Sequence, residues 1–232
     1  MLFILCFLAN IVSAVTLTTT LEQVNGVLEE TFESPEGVRG SETFVKNAAT
    51  EILGTSRTPI YIIDNFLSHI QCKRLIKELK PNLVPSSVTR ISSDPYHRTS
   101  TTAVFFRSRL QDSVNKKMSD MLPEEKNFEQ AQIQHYSVSQ QFKPHWDAFE
   151  PTLDKAYNSL GQRTWTFMMY LNNVEEGGET YFPKLNETIV PKIGKAVLWN
   201  NLDANGDINR DTKHEGKPVM KGEKYIITKW FH

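Results

Sequence analysis

From residue 131 onward the chain repeats one texture, and that texture restricts the fold more than anything else in it. Short segments rich in β-branched and aromatic residues recur: AQIQHYSV (131–138), RTWTFMMYLN (163–172), ETYFP (179–183), KAVLWN (195–200) and KYIITKWF (224–231). Turn formers punctuate them, namely Gly177-Gly178, Pro183, Pro191 and Asn205-Gly206. No helical period falls between them. Strands at this spacing, without intervening helices, predict an antiparallel sandwich or barrel.

The stretch before it has a different grain. IYIIDNFL (60–67) reads as a strand and SHIQCKRLIKEL (68–79) as a helix with Ser68 as N-cap and Pro81 as its stop. Ile70, Leu75, Ile76 and Leu79 form its expected apolar face. A second helix is expected over SRLQDSVNKKMSDML (108–122), ended by Pro123. The fold class is therefore α+β, mainly β, with supporting helices toward the N-terminus. The compact domain is expected to span 58–232, beginning near Thr58-Pro59.

Ahead of it, 15–57 reads as a helical extension and linker. Leu17, Leu21, Val24, Leu28 and Phe32 make a helical stripe, and ESPEGVRGSE (33–42) is linker-like. Residues 1–14 read as a signal peptide. An apolar run from Leu2 to Val12 leads to Val12-Ser13-Ala14, small residues suited to cleavage. No Lys or Arg precedes the run, so an uncleaved anchor is the alternative, and only that would bring a membrane contact. A signal places the chain in the endoplasmic reticulum lumen or secretory pathway. Of two cysteines, Cys6 lies in the signal and Cys72 on the first predicted helix, where it reads as a small buried hydrophobe. The formal charge of −1 over 232 residues disfavours a nucleic-acid partner.

The chemistry centres on KPHWDAF (143–149). In an extended segment residues two apart share a face, so His145 and Asp147 can converge on one object. A lone His-x-Asp is weak evidence. His214, in DTKHEGKPVM before the last strand, can complete a set, because a jelly roll lays distant strands side by side. Two imidazoles and one carboxylate on one face of an ion suit Fe(II) in oxygen-activating enzymes; a catalytic Zn(II) would also need a base beside its water. Lys224 opens the final apolar strand. If it points inward it needs an anion, which a metal-chelating dicarboxylate would supply. DANGDINRD (203–211) alternates oxygen-bearing side chains, but its Gly and Glu spacing departs from a calcium loop, and it reads as a polar loop.

HYSVSQQFKPHWD, GQRTWTFMMYLNNVEEGGETYFP and the run from GKAVLWNN to KYIITKWFH, in that order, resemble the catalytic domain of prolyl 4-hydroxylases, which are 2-oxoglutarate- and Fe(II)-dependent dioxygenases. IIDNFLSHIQCKRLI and HRTSTTAVF extend the resemblance over about 58–232. It implies a double-stranded β-helix (jelly-roll) core, with His145, Asp147 and His214 as iron ligands. It implies that Lys224 pairs with the distal carboxylate of 2-oxoglutarate, that Tyr136 hydrogen-bonds the same group and that Thr180 lies near it. Arg163, Trp230 and His232 fall where the family lines its peptide groove.

The implied cofactors are Fe(2+), 2-oxoglutarate, O2 and L-ascorbate, and the implied partner is a proline-rich peptide or protein; a partner subunit is left open. The resemblance implies hydroxylation of peptidyl proline with conversion of 2-oxoglutarate to succinate and CO2. The alternatives are a related oxygenase acting on a lysyl residue or small molecule, and a non-catalytic jelly-roll binding module. Two departures stand out: Ser139 where the family often has Gly, and Phe142 where it often has Tyr.

Overall fold

The computed structural model describes residues 40–86, 97–105, 108–150 and 161–232. The expected signal (1–14) and the helical stripe (17–32) lie outside the described residues. Among the described residues no helix is long and apolar enough to cross a membrane.

Residues 39–232 cluster into one compact unit, so the folded part reaches back beyond the expected start at 58. Two elements account for the difference. Helix α1 (Gly40–Ala48) buries Val45 in the core, and its Glu42 accepts a hydrogen bond from the Tyr61 hydroxyl. Strand β1 (Glu51–Gly54) pairs antiparallel with β2 (Pro59–Ile63). The polar composition around these residues conceals one buried valine and an edge strand.

The remaining helices are α2 (His69–Leu79) and α3 (Arg109–Asp120). Ser68 caps α2 with a reciprocal Gln71 bond, and Ser108 caps α3. The buried stripe of α2 is Cys72, Leu75 and Leu79. Ile70 is 72% exposed, contrary to expectation, because a step of two residues along a helix turns it off the face that Cys72 occupies.

The other strands are β3 (Val84–Pro85), β4 (Thr101–Val104), β5 (Gln132–Tyr136), β6 (Phe142–His145), β7 (Trp165–Tyr170), β8 (Glu176–Gly177), β9 (Thr180–Phe182), β10 (Glu187–Ile189), β11 (Ala196–Asn200), β12 (His214–Gly216), β13 (Val219–Lys221) and β14 (Lys224–Phe231). Antiparallel pairing builds a large sheet in the order β1-β2-β11-β7-β14-β5-β4-β3 and a smaller one in the order β10-β9-β12-β6. This is the antiparallel, mainly β architecture that the strand texture predicts, in the jelly-roll form that the resemblance implies.

Alternation along the strands splits the interior in two. Trp165, Phe167, Met169, Leu198, Tyr225, Ile227 and Phe231 form one apolar cluster with Cys72, Leu75, Leu79, Val114 and Met118 of the helices. The intervening residues of the same strands, Met168, Tyr170, Val197, Trp199 and Ile226, cluster instead with Phe182 and Ile189 of the smaller sheet. Every residue of β7 and β14 is buried for this reason. The second face encloses the cavity described next.

Candidate metal centre and its cavity

His145 ends β6 and His214 begins β12, and the two are register partners on adjacent antiparallel strands. Their rings lie 4.3 Å apart. Asp147 sits in a bend just past the end of β6, so strand alternation is not what delivers it. Its Oδ1 is 3.6 Å from His145 Nε2 and its Oδ2 is 3.9 Å from His214 Nε2. One ligand atom from each of the three falls within 4.8 Å of the others.

The surroundings aim these atoms. His145 Nδ1 is 2.8 Å from the Lys143 carbonyl and His214 Nδ1 is 3.0 Å from the Thr212 carbonyl. An N–H donated to each carbonyl leaves both Nε2 lone pairs pointing at the centre. Thr166 Oγ1 donates to Asp147 Oδ2 at 2.7 Å and accepts from Asn201 Nδ2 at 2.9 Å. Arg163 Nη1 donates to the Asp147 backbone carbonyl at 3.3 Å.

Burial alone would raise the Asp147 carboxyl, but His214, His145 and Arg163 outweigh it and hold it far below the carboxylate range. Burial, helped by the neighbouring His145, pulls His214 down to about 4 against the pull of Asp147. A charged carboxylate and a neutral imidazole are the forms that bind a divalent cation. The donor set therefore fits Fe(II).

Lys224, the first residue of β14, is 2% exposed and turns onto the cavity side of the large sheet. Its Nζ lies 5.2 Å from the Tyr136 ring centre and 5.7 Å from that of Tyr170. Among the described residues no carboxylate comes within 4 Å of it. Burial lowers its pKa to about 7, with only Glu179 acting the other way. An ammonium buried without a counter-ion is costly, and the remedy is an anion held in the cavity. Two glycines make room for it. A Cβ on Gly216 would lie 3.6 Å from Lys224 Nζ, and one on Gly178 would lie 3.3 Å from its Cδ.

The cavity is lined by His145, Asp147, His214, Lys224, Tyr136 and Thr180 together with Gln134, Thr228 and Trp230. Thr180 Oγ1 accepts from the Tyr170 hydroxyl at 2.7 Å. Tyr136 is the register partner of Lys224, and its hydroxyl donates to Gln134 Oε1 at 3.1 Å. Phe142 stacks on the His145 ring with centres 3.5 Å apart. Ser139 has φ +67°, a conformation that glycine adopts without strain.

Arg163, Trp230 and His232 form one cluster. The Arg163 guanidinium lies between the rings of Trp230, at 3.9 Å, and Phe149, at 4.4 Å, and its Nε pairs with Glu129 at 2.5 Å. His232 Nε2 is 3.4 Å from the same carboxylate. Of the three, Trp230 lines the cavity. In the 203–211 loop, Asp203 Oδ1 accepts from the amides of Asn205 and Asp207, so that carboxylate serves its own turn.

Thr166, Asn201, Gln134 and Thr228 escape the sequence reading. Strand parity is the signal that reaches three of them: Thr166 shares its face with Met168 and Tyr170, Thr228 with Lys224 and Trp230, and Gln134 with Tyr136.

Comparison with known proteins agrees with this geometry. Residues 131–232 match the model of the 2OG-Fe(II) oxygenase superfamily. Prolyl 4-hydroxylase 5 of Arabidopsis thaliana is 34% identical over 200 residues, covering 74% of this chain and 67% of that protein. Probable prolyl 4-hydroxylase 9 of the same plant is 30% identical over 236 residues, covering 90% and 80%. The crystal structure of the viral collagen prolyl hydroxylase from Paramecium Bursaria Chlorella virus-1, in its 2OG complex, superposes with a TM-score of 0.60 at 31% identity, covering 74% of this chain and 94% of that one. The fold and site define a 2-oxoglutarate- and Fe(II)-dependent oxygenase. Within that class the chain belongs to the prolyl 4-hydroxylase family.

Proposed function

We propose that the protein hydroxylates prolyl residues of a proline-rich peptide or protein, converting 2-oxoglutarate to succinate and CO2. The observation that carries this reading is Lys224: a buried lysine with no carboxylate within 4 Å among the described residues, in the same cavity as the His145–Asp147–His214 set. A structural metal site has no use for it, and a diacid co-substrate does.

His145 Nε2, His214 Nε2 and Asp147 would hold Fe(II), which with 2-oxoglutarate and O2 supplies the oxidising power for an unactivated C–H bond. Lys224 binds the far carboxylate, and Thr180, set by the Tyr170 hydroxyl, orients it. Trp199 and Phe182 lie against the His214 ring, with centres 4.9 and 5.4 Å away, and keep water from the metal end. At the other end Trp230, backed by Arg163, offers an aromatic wall suited to an extended polyproline segment. The leader at 1–14 supports action in the secretory pathway, which sequencing the N-terminus of the mature protein would check.

The test is to supply Fe(II), L-ascorbate as reductant, 2-oxoglutarate and a panel of proline-rich peptides. Succinate release with a 16-dalton gain on proline is expected. Succinate release accompanied by modification of a lysyl or small-molecule substrate alone would move the chain to a different oxygenase specificity.

A further inference from the structure

A polar string runs along the cavity wall from Tyr136 through Gln134 to Thr228. Tyr136 donates its hydroxyl proton to Gln134 Oε1 at 3.1 Å, and Gln134 Nε2 donates to Thr228 Oγ1 at 3.0 Å. Gln134 is 3% exposed and Thr228 5%, and both line the cavity. Burying a primary amide there is costly unless its bonds are used. The string therefore calls for an explanation.

Its direction is the informative part. An amide can turn over and reverse both bonds, so something must set the polarity. Burial pushes the Tyr136 hydroxyl up and keeps its proton on, with Arg98 and Ser100 acting the other way. A guanidinium can only donate. The Tyr136 hydroxyl has one proton to give, and with Gln134 Oε1 receiving it the Gln134 Nε2 faces Thr228. The Thr228 oxygen then accepts, and no acceptor for its own proton lies among the described residues. Each link points the same way, and such chains reinforce their members. The last link is an O–H with a free proton on the cavity wall.

The level of that hydroxyl says what it meets. Thr228 is the register partner of Met168, and the next pair on that face toward the C-terminus is Trp230 with Thr166, the residue that holds Asp147. Thr228 thus lies between the Lys224 end and the aromatic wall at Trp230. On the reading above, the far carboxylate of the diacid is taken by Lys224 and Thr180 and its other end by the metal. The substrate brings further acceptors to this level. A polyproline-type segment has no internal hydrogen bonds, so its carbonyls arrive unpaired.

We propose that Thr228 positions the peptide by donating to one of its backbone carbonyls, with Gln134 and Tyr136 fixing the direction of that donation. The proposal rests on the prolyl hydroxylase reading and adds to it the groups that register the peptide over the metal.

The experiment separates peptide from co-substrate. Peptide KM, kcat and the dissociation constant for 2-oxoglutarate (by calorimetry, with Mn(II) replacing iron) are measured for Thr228→Val, Thr228→Ser and Gln134→Leu. Loss of one neutral hydrogen bond predicts a rise of about three- to tenfold in peptide KM for Thr228→Val. Thr228→Ser should restore the wild-type value, and Gln134→Leu should give a smaller rise in the same direction. The dissociation constant for 2-oxoglutarate should stay within about twofold throughout. A Thr228→Val enzyme with unchanged peptide KM, or one whose main defect is in 2-oxoglutarate binding, overturns the proposal. A wild-type protein that binds 2-oxoglutarate but turns over no prolyl peptide overturns the functional reading instead, and the two failures are distinct.

Discussion

His145 and His214 face one another across an antiparallel strand pair, and each has its Nδ1 against the carbonyl of the residue two places before it, Lys143 and Thr212. The two imidazoles are thus set by the backbone of their own strands, independently of any ion. Asp147 differs: its carboxylate is oriented from another strand, by Thr166 backed by Asn201.

That difference yields the first prediction. His214→Ala should abolish specific Fe(II) binding. Thr166→Val should leave it measurable but weaker by about ten- to a hundredfold, the usual effect of removing an outer partner of a metal ligand. Equilibrium titration with Fe(II) under anaerobic conditions reads both. Equal affinity in Thr166→Val and wild type would show that the hydroxyl does not orient Asp147.

The second prediction concerns pH. Burial pulls the Lys224 pKa down to about 7, and a bound carboxylate would restore the ammonium. Below pH 7 the lysine is already charged, and affinity for 2-oxoglutarate should be flat. Above it each binding event must take up a proton, so affinity should fall, by at most about tenfold per pH unit. Lys224→Met should bind weakly with no slope. Calorimetry in buffers of different ionisation enthalpy counts the proton directly.

These residues also show how far the sequence could be read. The antiparallel texture, the convergence of His145, Asp147 and His214 and the inward turn of Lys224 are legible, because alternation and turn residues are local signals and the motifs are well spaced. The placement of Asp147 was expected from strand alternation and comes instead from a bend after β6. The outer partners are harder: nothing local to Thr166 or Asn201 says that Asp147 lies beside them, since the contacts span 19 and 35 residues and exist only once the sheets close. Arg163 reads in sequence as a groove residue or a surface charge. Its burial between two rings depends on Phe149 and Trp230 coming together.

Arg163 carries the third prediction. Its guanidinium is buried, paired with Glu129 and bonded to the Asp147 carbonyl. Arg163→Met keeps the stem but leaves the half-buried Glu129 without its guanidinium. A cost of about 1–3 kcal/mol is expected, read as a lower urea midpoint. A variant as stable as wild type, with only peptide KM raised, would assign Arg163 to the substrate and not to the scaffold.

The fourth prediction sets two glycines against each other. Gly178 has φ +72°, so alanine there is strained whatever the space, and its Cβ would also press on Lys224 Cδ. Gly178→Ala should therefore lose about 1–2 kcal/mol of stability and bind 2-oxoglutarate poorly. Gly216 has no such backbone demand, and the nearest atom to its added Cβ is Lys224 Nζ at 3.6 Å, an ordinary contact. Gly216→Ala should keep or slightly raise the unfolding midpoint, because alanine costs less chain entropy in a strand. The added methyl stands beside the ammonium, in the space a carboxylate needs. Co-substrate affinity should fall while stability does not. If Gly216→Ala binds 2-oxoglutarate as tightly as wild type, the diacid does not approach Lys224 from the β12 side, and the placement of the co-substrate pocket between β12 and β14 is wrong.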